Sequence, residues 1–176
     1  CYTYDSNDTK NLNFELLGYN IQSIKGDKDR QGVFSLSKDK KKKISDRISK
    51  AFLKFDSLLN IVSYDVAAHY LFDALHVLTC NINLYNAKRG VKVGIFYSNQ
   101  LLDNIKDLVG LDRYIQYRCK QMSLKGKAGV NPVKQPQIEI TLKKQLEQIS
   151  FVKGFKTHKR YKIKKSRLQM IKQSWV

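Results

Sequence analysis

A mainly α-helical chain with a short β-hairpin at its N-terminal end, an α+β fold, is predicted by three features of the sequence. Apolar and polar residues alternate over 12–36, helical spacing governs long stretches after residue 37, and glycines and prolines gather between those blocks. The 176 residues suffice for one domain of ordinary size or two small ones with a real core.

The β region comes first. Leu12, Phe14 and Leu16 alternate, Gly18 interrupts, and Tyr19, Ile21 and Ile24 continue an apolar strip. GDKDRQG over 26–32 is a turn, and VFSLS over 33–37 returns as a second strand, so a hairpin or meander is expected within 1–36. Ser37 then suits an N-cap and Asp39 a first helical turn, starting a helix that runs to about Leu59. Its apolar face is Ile44, Ile48, Ala51, Phe52, Phe55 and Leu59. Lys43, Arg47, Lys50 and Lys54 recur at helical steps and form a cationic stripe beside that face.

YDVAAHYLFDALHVLTCNINLYN over 64–86 reads as a second helix, apolar on most sides, and 37–87 form one helical block. AKRG breaks the pattern. GVKVGIFYSN over 90–99 is expected to be extended, and a third helix over about 99–121 carries Leu101, Leu102, Ile105, Leu108, Leu111, Tyr114 and Ile115. These make a helical extension over 88–122. SLKGKAGVNPVKQPQ over 123–137 holds both prolines and two glycines and reads as a linker. The last block, 138–176, is expected to be a short helix followed by a densely basic segment with Phe155, Tyr161 and Trp175 interspersed.

Composition narrows the function. Hydrophobic residues at 42% and aromatics at 11% exclude a disordered chain. No stretch approaches the roughly 20 apolar residues of a membrane span, and CYTYDSNDTK lacks the apolar core of a signal peptide, so a cytoplasmic protein is expected. A chain that opens on Cys1 reads as part of a longer polypeptide. Cys1, Cys80 and Cys119 are too scattered for a disulfide framework or a zinc site. Lys and Arg number 33 against 15 Asp and Glu, a net charge of +18, which attracts polyanions over long range. Anionic membrane is the rival partner, but the basic helices carry apolar faces suited to a protein core. Nucleic acid is the expected partner, and no membrane.

Catalytic groups are sparse. Tyr4-Asp5-Ser6 lacks the paired aspartates of a polymerase Tyr-x-Asp-Asp site, so Asp5 and Asp8 read as a polar loop. His69, His76 and Cys80 share one helical face near Asp73, yet on an apolar helix such residues are more often core than metal ligands. No phosphate-cradling GxxxxGK[ST] occurs, and nothing brings Cys119 and His158 together as nucleophile and base. No catalytic residue, metal ligand or cofactor is therefore expected in this stretch. The remaining candidates are the stripe of Lys43, Arg47, Lys50 and Lys54 and the tail residues Lys159, Arg160, Tyr161 and Lys164. Cations in a row track phosphates, and aromatic rings stack on bases.

NFELLGYNI followed by VFSLSKDKKKKISDRI resembles the segment after the catalytic palm in bacterial reverse transcriptases of the retron, group II intron and phage-defence kinds. Phe14-Glu15-Leu16-Leu17-Gly18-Tyr19-Asn20-Ile21 is similar to their primer-grip hairpin, with Leu16 where Phe is usual. Ser35, Ser37, Lys38 and Lys41, Lys42 and Lys43 are similar to the start of their thumb helix, and GVKVGIFYSNQLLDNIKDLVGLDRYI to the helical extensions of defence-associated members. The specific part covers about a quarter of the chain. The resemblance implies a grip at Leu17, Gly18 and Tyr19 for a primer end, and a thumb whose Lys38 and cationic stripe hold an RNA template, RNA–DNA hybrid or noncoding RNA. It also implies an RNA-directed DNA polymerase, a nucleotidyltransferase, whose catalytic aspartates and Mg2+ belong to a palm outside this chain. The alternative is a stand-alone basic RNA- or DNA-binding protein.

Overall fold

A computed structural model describes residues 13–25, 30–84 and 93–175. Asp5, Asp8, most of the 26–32 turn and the AKRG break lie outside the described residues. The fold is mixed α/β, with helices predominating and a three-stranded antiparallel sheet at its N-terminal end.

That sheet follows the alternation closely. β1 (Asn13–Leu16), β2 (Tyr19–Lys25) and β3 (Arg30–Leu36) form a meander in the order β1-β2-β3. Leu16 pairs with Tyr19, leaving a two-residue turn in which Leu17 and Gly18 have φ of 50° and 80°. Two positive φ values make a type I′ turn, whose twist matches that of the strands it joins. The meander is then tied to the next element. The Ser37 N–H donates to the Gly18 carbonyl at 3.0 Å, and the Ser37 hydroxyl accepts from the Lys40 N–H at 3.2 Å. Ser37 thus caps α1 (Lys38–Leu58), a contribution of about 1 kcal/mol. The expected apolar face is inside: Ile48, Ala51, Phe52, Phe55 and Leu59 are buried, and Ile44 packs at the core's edge.

α2 (Tyr64–Thr79) ends seven residues before residue 86, where its apolar pattern stops. Cys80 turns extended and residues 81–84 form β4 (Asn81–Leu84), at the centre of a second sheet ordered β5-β4-β6. β5 (Val93–Gly94) pairs with it antiparallel, and β6 (Arg160–Ile163) pairs parallel in the register Asn81↔Arg160 to Leu84↔Ile163. An apolar run of this length is ambiguous between helix and strand. The partner strand that decides it lies about eighty residues away.

The extended segment of 90–99 shrinks to β5 within the described residues, and Ile95 to Ser98 form turns. The third helix begins at Lys106, not near 99: α3 is Lys106–Gln121. The chain before it is held against the free edge of β3. The Phe34 N–H donates to the Asp103 carboxylate at 2.9 Å, and the Asp103 N–H donates back to the Phe34 carbonyl at 3.1 Å. The Leu36 N–H donates to Asp107 at 2.8 Å, and Lys41 pairs with the same carboxylate at 3.0 Å. Those bonds satisfy strand-edge groups that would otherwise invite another chain. α3 continues through Gly110.

The segment read as a linker, 123–137, packs on the α1–α2 connection. Leu124 and Val130 are buried, the Gly129 N–H donates to the Leu59 carbonyl at 2.7 Å, and the Tyr64 N–H donates to the Gly129 carbonyl at 3.1 Å. Its last residues belong to α4 (Gln135–Glu147). The C-terminal block is likewise more structured than a basic tail, with α5 (Phe151–Lys156), β6 and α6 (Lys165–Gln173). Phe151, Ile163, Leu168 and Ile171 enter the same core as Leu36 and Phe55. Asp112 on α3 holds α5 in place, accepting from the Phe151 N–H and the Ser150 hydroxyl, each at 2.6 Å. A carboxylate at a helix N-terminus satisfies donors that the helix itself leaves open.

α5 lies so close to the end of α2 that a Cβ on Gly154 would stand 1.7 Å from the Thr79 carbonyl oxygen. Gly154→Ala must push the two apart, and an overpacked core loses roughly 1–3 kcal/mol or more. Chemical unfolding of the variant is expected to show that loss; an unchanged midpoint and slope would refute the close packing.

Candidate nucleic-acid interface

The β1–β2 turn, the first half of α1 and α6 enclose a groove of about 1020 Å³. Three local rules build its walls. The I′ turn places Leu16, Leu17 and Gly18 on one rim, and Leu17 is 87% exposed. Helical spacing places Lys40, Lys43, Ile44 and Arg47 on the adjoining wall. α6 supplies Leu168 and Lys172, and Trp175 follows just beyond its end. The floor is apolar, with Val77 and Leu78 from α2, Ile82 from β4 and Ile95 after β5. Four cations line the groove against two carboxylates, Glu15 and Asp39.

Several contacts fix these side chains. Tyr19, buried directly after the turn, donates its hydroxyl to the Ser98 carbonyl at 3.3 Å and meets Phe34 edge to face. Lys40 donates to the same carbonyl at 3.0 Å and lies 4.8 Å from the Tyr19 ring centre. Partial burial lowers the Lys40 pKa by withdrawing its ammonium from water. An anion in the groove would offset that cost. Across the groove the Arg47 guanidinium sits 5.0 Å from the Trp175 ring centre, a cation–π contact of about 0.5–2 kcal/mol. Lys50 donates to the Trp175 carbonyl at 2.7 Å.

The α6 wall is held by a polar cluster on α2. Asp73, buried, accepts from the Tyr161 hydroxyl and pairs with Arg167. His76 stacks on Tyr161 with ring centres 4.6 Å apart, and its Nδ1 is 2.7 Å from the Phe72 carbonyl. Burial, then Asp73, raises the Tyr161 pKa far above its ordinary value, and burial lowers that of His76.

The structure therefore divides the residues singled out from sequence. Leu17, Gly18, Lys43 and Arg47 meet at the groove, with Tyr19 beneath the turn. Lys38 is exposed at the start of α1, where its N–H donates to Glu15 at 3.3 Å. Lys50 reaches Trp175, and Lys54 is exposed further along α1. Lys159, Arg160 and Lys164 are exposed in and beside β6, and Tyr161 is turned toward Asp73 and His76. Those four are not among the described residues lining the groove.

Sequence reasoning missed Lys40, Lys172 and Asn99, and it placed Trp175 only among the aromatic residues of the basic segment. Lys40 was within reach, since 40, 43 and 47 share a helical face. No local pattern placed Lys172 and Trp175 beside α1. Among the described residues no three His, Cys, Asp or Glu side chains gather to hold a metal ion. His69 is exposed on α2, apart from the His76–Tyr161 stack. Burial and then Glu147 push the Cys119 thiol up to about 11, which leaves it protonated and unreactive at neutral pH. No described helix is long and apolar enough to cross a membrane. No family model, curated protein or solved structure matches this chain.

The cluster makes stability pH-dependent. In the unfolded chain His76 takes up a proton near its ordinary value of 6.5, whereas the folded chain resists until a lower pH. The unfolded state thus binds more protons across that window, and stability falls as pH drops through it. His76→Phe, which keeps a ring on Tyr161 and cannot titrate, is expected to lose this component in unfolding curves taken across the window. Identical pH profiles for the two proteins would contradict the assignment.

Proposed function

We propose that this chain is the grip-and-thumb portion of a bacterial reverse transcriptase, of the phage-defence-associated kind, and that its groove side holds a template–primer or a structured RNA. One observation carries the reading. The two parts of the resemblance, the Leu17-Gly18 turn and the lysine-rich start of α1, form adjoining walls of one groove and are tied by the Ser37–Gly18 hydrogen bond. In this arrangement the glycine turn admits a strand end close to backbone, Tyr19 braces the turn from below, and Lys40, Lys43 and Lys172 face the phosphates. The nucleotidyl transfer itself, with its aspartates and Mg2+, is assigned to a palm outside this chain.

A second reading is favoured by a different observation. Residues from Leu36 to Ile171 share one continuous core, as in a self-standing RNA- or DNA-binding module. The coding sequence upstream of Cys1 separates the two. A Tyr-x-Asp-Asp motif within roughly one palm domain's length (about 100–150 residues) supports the polymerase, and a start codon directly before Cys1 supports the module.

Both readings require phosphate contacts. Arg47 and Lys50 also hold Trp175, so neutralising them would disturb α6 as well as charge. Lys43 and Lys172 are exposed and test charge more cleanly. The Lys43→Gln, Lys172→Gln double variant is expected to fold normally and to flatten the plot of log affinity against log salt by about 0.7–0.9 per lost contact. A variant with the parent's slope on an RNA–DNA hybrid and on single strands would remove the groove from the binding surface.

A further inference from the structure

We infer that the groove takes unpaired nucleotides of a single strand, with Trp175 as the stacking platform for a base; this deepens the nucleic-acid reading above and rests on it. A duplex offers phosphates and sugars on its outside, which suits the cationic rim alone. The floor of Val77, Leu78, Ile82, Ile95 and Leu168 is apolar and recessed, and it needs an apolar occupant. Base faces exposed by unpairing are such an occupant, and their phosphates reach outward to Lys40, Lys43 and Lys172 on the rim.

Two polar groups at the same groove favour a base over a lipid chain. Asn99 lines the groove and is 2% exposed; its Nδ2 donates to the Ile95 carbonyl at 2.6 Å, and its Oδ1 has no hydrogen-bond partner among the described residues. The Trp175 indole N–H likewise has none. The Asn99 oxygen can accept from the amino group of a nucleobase, and the in-plane Trp175 N–H can donate to a neighbouring nucleotide instead of the base stacked on the ring face, whereas an acyl chain would leave both unpaired. Trp175 is suited to stacking because the Arg47 guanidinium lies 5.0 Å from the ring centre and Lys50 holds its carbonyl, so the ring is oriented before a base arrives.

Trp175 is the one tryptophan in the sequence, so emission excited selectively at tryptophan, beyond tyrosine absorption, reports on this platform alone. The protein is titrated with a short single-stranded oligonucleotide and with an abasic sugar–phosphate strand of equal length. The base-containing strand is expected to quench the emission and to bind more tightly, while the abasic strand leaves the emission unchanged. Trp175→Ala is expected to weaken the base-containing strand by roughly 5- to 150-fold and Trp175→Phe to retain most of the affinity. Equal affinity for the two strands overturns the inference. So does a Trp175→Ala variant that folds and binds as tightly or more tightly, because Trp175 would then mask Arg47 and Lys50 rather than receive a base. Absence of salt-dependent binding to any strand removes the nucleic-acid reading itself. Salt-dependent binding that is indifferent to bases removes only the stacking platform.

Discussion

The groove depends on the parallel pairing of β6 with β4. The Asn81 N–H donates to the Lys159 carbonyl at 2.7 Å, and from there four residue pairs run in register to Leu84 and Ile163. This ladder brings the C-terminal block back beside α1 and delivers Leu168, Lys172 and Trp175 to the side opposite the β1–β2 turn. A parallel pair needs a long crossover, and here the crossover contains α3, α4 and α5. Asp73, which engages Tyr161 in the strand and Arg167 in the helix, locks the returned segment onto α2. A carboxylate buried this way is stable only while both partners remain, so the wall stands or falls as a unit.

Electrostatics at the groove follow from competing demands on each cation. Lys40 is drawn partly out of water by its bond to the Ser98 carbonyl and its place over Tyr19, which lowers its pKa. Arg47 and Lys50 are shared with Trp175, so part of their donor capacity is used in holding the wall. Lys43 and Lys172 keep their heads at the surface, where attraction for phosphate is strong at low salt and screened at high salt. The overall charge of +18 sets the long-range pull on polyanions, and this smaller group concentrates positive charge at the groove.

How much was legible in the sequence differs from element to element. The meander, the Ser37 cap and the buried face of α1 were readable because each arises within a few residues: period-two alternation, a hydroxyl three residues from its donor, and helical spacing of apolar groups. The same locality made Lys43 and Arg47 identifiable as candidates, whereas Leu17 and Gly18 were singled out only by the resemblance. α2 was read too long, and α3 too early, because strands at 81–84 and 93–94 and the non-helical segment before Lys106 take their conformation from distant partners. The turns over 123–134 looked like a linker because prolines and glycines signal a break in regular structure but carry no information on whether that break is packed.

The sequence by itself determined the net charge of +18 and the two local devices at the groove, the break in the strand at Gly18 and the cationic face of a capped helix. Both follow from backbone sterics and helical periodicity, which act between neighbours in the chain. Only the tertiary structure decided that these devices share one groove, that Trp175 lies under Arg47, and that Tyr161 faces Asp73 instead of the groove. The last two outcomes join residues 128 and 88 positions apart. They are set by how a buried carboxylate finds its partners and how a strand finds its edge, and no periodicity in the chain encodes either.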